Sequence, residues 1–147
     1  MDFDDVAPQG GWLVGVEVHV TKWLTFDVIG GVRPIFQASG KTLNGAQHGK
    51  LTDRVVRAVA KPGYAVGAIN VKAGAGVDGL SVTFMKVTAN GGLDTKDSYE
   101  SEWIGGLGGG GKTMIGGDGA PVIGLCGRVN DGQHTGALGL VLSAGNK

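Results

Sequence analysis

Three stretches of this chain rhyme with one another. Gly11-Trp12-Leu13-Val14-Gly15-Val16 closes on Val32-Arg33-Pro34-Ile35-Phe36, and Gly63-Tyr64-Ala65-Val66-Gly67-Ala68-Ile69 closes on Leu80-Ser81-Val82-Thr83-Phe84. Gly119-Ala120-Pro121-Val122-Ile123-Gly124-Leu125 closes in the same way on Leu138-Gly139-Leu140-Val141-Leu142. With Gly15, Gly67 and Gly124 taken as equivalent, the offsets are 52 and 57 residues, so three such units account for all 147 residues. One unit alone would expose an apolar face, whereas three packed around an axis bury it. The expectation is one domain over 1–147 with pseudo-threefold symmetry and approximate repeats 10–50, 51–104 and 105–145.

Within each unit the local pattern is that of strands. Val14-Gly15-Val16-Glu17-Val18-His19-Val20 alternates with a period of two, and Arg54 to Ala60, Ala68 to Lys72, Leu80 to Val87 and Ala137 to Leu142 read alike. No window places apolar residues at helical spacing between caps, so no helix is expected. Long loops are expected at 37–50 and 90–113. The 30 glycines lack a three-residue period and are joined by only four prolines, which suits a chain that reverses often rather than a collagen. Many short strands with glycine-rich turns imply an all-β sandwich, barrel or prism.

Charge narrows the function. Thirteen basic and 13 acidic residues cancel, which removes the cationic footprint of a general nucleic-acid binder. No apolar run is long enough to span a bilayer, so membrane insertion is not expected. The start, Met1-Asp2-Phe3-Asp4-Asp5, is acidic where a signal peptide is basic and then apolar. That fits either a cytosolic protein or a module of a larger secreted or surface protein. Cys126 is alone, so no intramolecular disulfide forms, and it reads as a small core residue.

One motif misleads. Gly106-Leu107-Gly108-Gly109-Gly110-Gly111-Lys112-Thr113 satisfies the phosphate-loop pattern, but that mechanism needs a buried strand before the loop and a helix after it. Ser98 to Ile104 is polar, and Met114-Ile115-Gly116-Gly117-Asp118-Gly119-Ala120-Pro121 cannot form a helix.

The same glycines, with Trp103 and Ile104 before them, resemble the GG loop of jacalin-like lectin domains. Ala75 to Phe84 resembles that family's recurring strand, and Gly74-Ala75-Gly76-Val77-Asp78 fits its sugar-binding signature, G-x-x-x-D. The resemblance implies a β-prism of three four-stranded antiparallel sheets and a non-catalytic, lectin-like module that takes glycans or glycoconjugates. It implies a site made of Gly74, Ala75, Gly76, Val77 and Asp78 with Gly105, Gly106, Gly108 and Gly109. Trp103 or Tyr99 would supply a stacking face. The order is a circular shift of the family's usual one, which pseudo-threefold symmetry makes equivalent in space. The turns matched to the signature in the other units, Lys22 to Asp27 and Gly132 to Gly136, lack the glycine and the acid respectively. A second similarity, to the vitelline membrane outer layer proteins, implies the same prism; their disulfides are missing here.

Alternatives stand beside that reading. A structural or assembly module would contact a second copy or another protein and bind no sugar. Asp78 before Gly79 is also an ordinary turn residue. Trp12, Trp23 and Trp103 read as packing residues first and ligand platforms second. His19, on the polar phase of its strand, and His48 and His134, in loops, read as solvated and show no metal-ligand spacing. Asp94, Asp97, Glu100 and Glu102 form an acidic loop, either a solvated turn or a calcium site without EF-hand spacing. No catalytic triad or nucleophile elbow appears, and no cofactor is implied.

Overall fold

The computed structural model describes residues 2–131 and 133–143. Met1, Gly132 and 144–147, which the expected domain or its third repeat includes, lie outside the described residues. Every regular element among the described residues is a strand. Three antiparallel hairpins form the frame: β2 (Trp12–Trp23) with β3 (Phe26–Ala38), β7 (Tyr64–Ala73) with β8 (Val77–Val87), and β12 (Val122–Val129) with β13 (Thr135–Leu142). Each hairpin gains a strand on the outer side of its first member: β6 (Val55–Val59) on β2, β11 (Thr113–Gly116) on β7, and β1 (Asp2–Val6) on β12. On the other side, β4 (Lys41–Asn44) and β5 (His48–Gly49) share the edge of β3, as β9 (Leu93–Glu100) and β10 (Ile104–Gly105) share that of β8.

The result is an all-β prism. It departs from three equal four-stranded sheets in one respect. Among the described residues the third sheet is β1-β12-β13, with nothing on the far edge of β13. Nor do the sheets follow the repeat boundaries after residues 50 and 104. The chain leaves β5 or β10 at one edge and crosses the hairpin end, so β6 and β11 complete the sheet already begun.

Ladder register makes the internal symmetry explicit and corrects it by one residue. Each hairpin carries a β-bulge early in its first strand, between Leu13 and Gly15, Val66 and Ala68, and Val122 and Gly124. The equivalent of Gly15 and Gly124 is therefore Ala68, not Gly67. Across the ladder these three pair with Val59, Val6 and Gly116. A methyl at Gly15 would meet Ala58 O at 2.5 Å, and one at Gly124 would meet Asp5 O at 2.6 Å. In the middle sheet the small residue has changed sides: Ala68 carries a methyl, and Gly116 opposite, at φ +80°, has none. Gly67 instead faces the flexible side chain of Met85. Gly15→Ala should therefore cost about 3 kcal/mol and Gly67→Ala about 1 kcal/mol, measured by urea unfolding, because a backbone carbonyl cannot yield and a thioether can. Equal losses would remove the bulge assignment.

The inward faces of the hairpins meet at a core of Leu13, Val16, Val18, Ile29, Val32, Val66, Ile69, Leu80, Val82, Phe84, Leu125 and Leu138, each at most 9% exposed. The alternation visible along β2 and β8 puts these residues on one side of the sheet.

Several polar residues sit elsewhere than expected. His19 is 4% exposed rather than solvated, because the β5–β6 loop folds over it. Its Nδ1 lies 3.1 Å from both the amide nitrogen and the carbonyl oxygen of Thr52, and its Nε2 lies 3.2 Å from the Glu17 carboxylate. His48 stacks on Phe3 at 3.9 Å and donates to Asp5 at 2.8 Å, tying β1 to the first sheet. The expected loops at 37–50 and 90–113 contain β4 and β5, and β9 and β10. Asp94, Asp97 and Glu100 thus lie on strand β9; Asp97 accepts from the Tyr64 hydroxyl at 2.6 Å and Glu100 accepts from Ser81. The bond to Asp97 pushes the Tyr64 hydroxyl pKa above its ordinary value. Cys126 is half-buried rather than in the core; burial pushes its thiol pKa up.

Candidate functional site

Asp78 occupies a second β-bulge, at the tip end of β8, between the rungs Lys72–Gly79 and Ala73–Val77. The same bulge in the other hairpins holds Gly30 and Gly136. The third unit is therefore matched as the sequence suggests, with glycine in place of the acid. The first is not: its equivalent of Asp78 is Gly30, and Asp27 lies nearer the turn. A bulge turns its residue out of the ladder. At Asp78 that carries the carboxylate over the end of the sheet.

There it meets the glycine-rich loop. Residues 106–112 run from β10 at one edge to β11 at the other and cross the β7–β8 tip on the way. Four hydrogen bonds hold the loop down: Gly106 N to Asp78 O (2.8 Å), Gly110 N to Ala73 O (3.0 Å), Trp103 Nε1 to Gly106 O (2.9 Å) and Lys72 Nζ to Leu107 O (3.2 Å). The first has a counterpart in the neighbouring sheet, where Lys50 N donates to Gly30 O at 3.1 Å. The β5–β6 loop is thus the structural twin of the glycine loop, with His19 beneath it and Gly30 where the middle hairpin has Asp78.

Contact between Asp78 and the loop requires glycine. Gly109 has φ +84°, and a side chain on it would reach Asp78 Oδ2 at 2.5 Å. A methyl on Gly108 would lie 3.4 Å from Oδ1. The carboxylate therefore rests directly on the main chain at Gly108–Gly109. Among the described residues no donor reaches that carboxylate, and no protein acceptor takes the amides of Ala75, Gly76, Gly108 or Gly109. An ionised acceptor with adjacent unpaired donors is a strong hydrogen-bonding set for a polyhydroxylated ligand. The turn reading of Asp78 fails on the same point, since the side chain caps nothing in its own loop.

A cavity of about 320 Å³ opens beside this pair. Gly74, Ala75, Gly76, Val77, Asp78 and Gly109 line it, so the two expected segments meet at one end of the prism. Gly105, the last residue of β10, and Gly106 and Gly108, in the crossing loop, do not line it. Trp103 braces that loop through its indole N–H and does not line the cavity. Tyr99 is at the far end of the sheet, paired with Phe84 and accepting from the Lys61 amide at 2.8 Å, so it stacks on no ligand here.

No family model matches the chain, and no curated protein matches it. Solved structures do. The artocarpin–mannotriose complex aligns over 97% of this chain and 89% of that one, with TM-score 0.70 and 16% sequence identity. A mannose-specific jacalin-related lectin from Morus nigra, in complex with mannose, aligns over 97% and 86%, with TM-score 0.67 and 16% identity. The fold is that of the jacalin-related lectins. A prostate-specific WGA16 glycoprotein lectin matches it as well, at TM-score 0.67 and 12% identity over 97% of this chain and 89% of that one. Identities this low speak to the β-prism alone.

The jacalin-type prism also brings in residues that sequence reasoning did not assign to the site: Trp23, Val28, Ile29, Asn130, His134 and Thr135. They come from the tips of the other two hairpins. The readable signal was Trp23-Leu24-Thr25-Phe26, a turn with three large apolar residues where polar ones are usual.

Proposed function

We propose that this chain is a non-catalytic carbohydrate-binding module whose primary site is the Asp78 carboxylate with the main-chain amides of 75–76 and 108–109. The carrying observation is that carboxylate, lying on Gly108–Gly109 beside unpaired amides with no internal donor of its own. Asp78 accepts from two neighbouring hydroxyls of one sugar ring, and the amides donate to ring substituents on either side. Absence of side chains at Gly108 and Gly109 lets the ring approach the main chain. Mannose is the first candidate, because artocarpin and the Morus nigra lectin carry mannose or its oligomers in structures of the same fold. A glycan array with free-sugar competition tests the reading. Binding to a defined set of glycans, released by millimolar monosaccharide, is the expected result; a blank array across hexose-containing glycans would sink it.

A further inference from the structure

Asp78 and Gly109 take up one side of the 320 Å³ cavity, and the remainder is a funnel between the three hairpin tips. Ile29, Val77 and Thr135 form its floor. They occupy equivalent rungs, each beside the bulge of its hairpin, and are 0%, 1% and 1% exposed. The funnel therefore lies where the three sheets converge, not on the middle sheet alone.

Its walls differ. The β2–β3 hairpin continues past Val20–Ile29 through the rungs Thr21–Val28, Lys22–Asp27 and Trp23–Phe26, whereas β7–β8 stops at Ala73–Val77. The extra rungs make the first hairpin overhang its neighbours and bring Trp23 to the cavity wall with 56% of its surface exposed. Asp27 steadies the overhang with ion pairs to Lys22 and Arg54, both 2.8 Å. Arg54 first, then Lys22, holds the Asp27 carboxyl far below the usual carboxylate range. On the third hairpin Asn130 and His134 face the same space. Asn130 reaches across to Ala75 O at 3.4 Å, a contact at the outer limit of hydrogen bonding. An indole on one side and an amide and an imidazole on the other match a sugar ring, with its one apolar face and its edge of hydroxyls.

We propose that the funnel is a second subsite, which takes the sugar residue linked to the one at Asp78 and stacks its apolar face on Trp23. The proposal rests on the carbohydrate reading above and makes the ligand an oligosaccharide. The test is calorimetric titration of the wild type, Trp23→Ala and Trp23→Phe. The probes are methyl glycosides of mannose, glucose, galactose and N-acetylglucosamine, with the corresponding disaccharides and mannotriose. For the sugar that binds, the wild type should prefer the disaccharide about tenfold, equivalent to about 1.4 kcal/mol. Trp23→Ala should reduce that preference to within about twofold, and Trp23→Phe should retain most of it. A wild type that binds monosaccharide and disaccharide alike, or a preference that survives Trp23→Ala, overturns the subsite and leaves the primary site standing. A wild type blind to every probe overturns both. Trp23 is exposed, so unchanged thermal unfolding of the variants separates lost stacking from lost structure.

Discussion

Asp78→Ala is expected to weaken sugar binding by more than about 100-fold while leaving the fold intact. The two halves of that expectation come from one arrangement. A carboxylate accepting from two hydroxyls makes charge-assisted bonds, each contributing about 1.5–3 kcal/mol, and their joint loss exceeds the ~2.7 kcal/mol that 100-fold represents. No internal donor depends on that carboxylate among the described residues, so removing it strands no buried group. The bulge itself tolerates a missing side chain, since Gly30 and Gly136 occupy it in the other hairpins. Isothermal titration beside urea unfolding separates the two effects. Asp78→Asn should fall between, because its amide keeps one acceptor oxygen and loses the charge. Affinity that is unchanged in Asp78→Ala would move the site elsewhere on the molecule.

The second large effect concerns stability and exposes the broken symmetry of the prism. Phe36, Phe84 and Leu142 stand at equivalent rungs, opposite Leu13, Val66 and Val122. The first two are 3% and 2% exposed, while Leu142 is 41% exposed. Outer strands explain the difference. Tyr99 of β9 packs on Phe84 at 5.1 Å between ring centres, and Leu43 of β4 pairs with Phe36, but β13 has no such neighbour among the described residues. Phe84→Ala should therefore lower the unfolding free energy by about 4 kcal/mol, and Leu142→Ala by about 1 kcal/mol or less. Comparable losses at the two positions would show that the third sheet is covered as well as the others.

The inner hairpins were legible in the sequence because they face a core on one side. Val14 to Val20 and Leu80 to Val87 alternate visibly, and apolar residues at both ends mark where each hairpin opens and closes. The outer strands were not legible. Lys41–Asn44 and Leu93–Glu100 carry mostly polar residues with little alternation, since their role is to cover an edge rather than to fill the interior. Register was legible only to within a residue, because a bulge adds one position without changing the apolar pattern around it. That is why Gly67 stood in for Ala68; Asp27 stood in for Gly30, three residues away, because the first hairpin is three rungs longer than the second.

The site divided along the same line. Gly74 to Asp78 and Gly105 to Gly109 are short motifs whose residue types state their own requirement: an acceptor, and main chain that can be approached. Trp23, Asn130 and His134 reach the cavity only because three turns far apart in sequence meet at one end. The three extra rungs that lift Trp23 over that end are a matter of hairpin length, which a local pattern does not encode. His19 misled for a related reason: its strand pattern put it outside, and a loop from 33 residues away closed over it.

The exchange of glycine between Gly15–Val59, Ala68–Gly116 and Gly124–Val6 has an evolutionary corollary. Each of the three pairs holds one glycine, on the inner strand in two sheets and on the outer strand in the third, so the close approach of the strands is kept while its letter has moved. Descendants of a triplicated ancestor can in this way lose every shared letter at the position while inheriting the same spacing between strands.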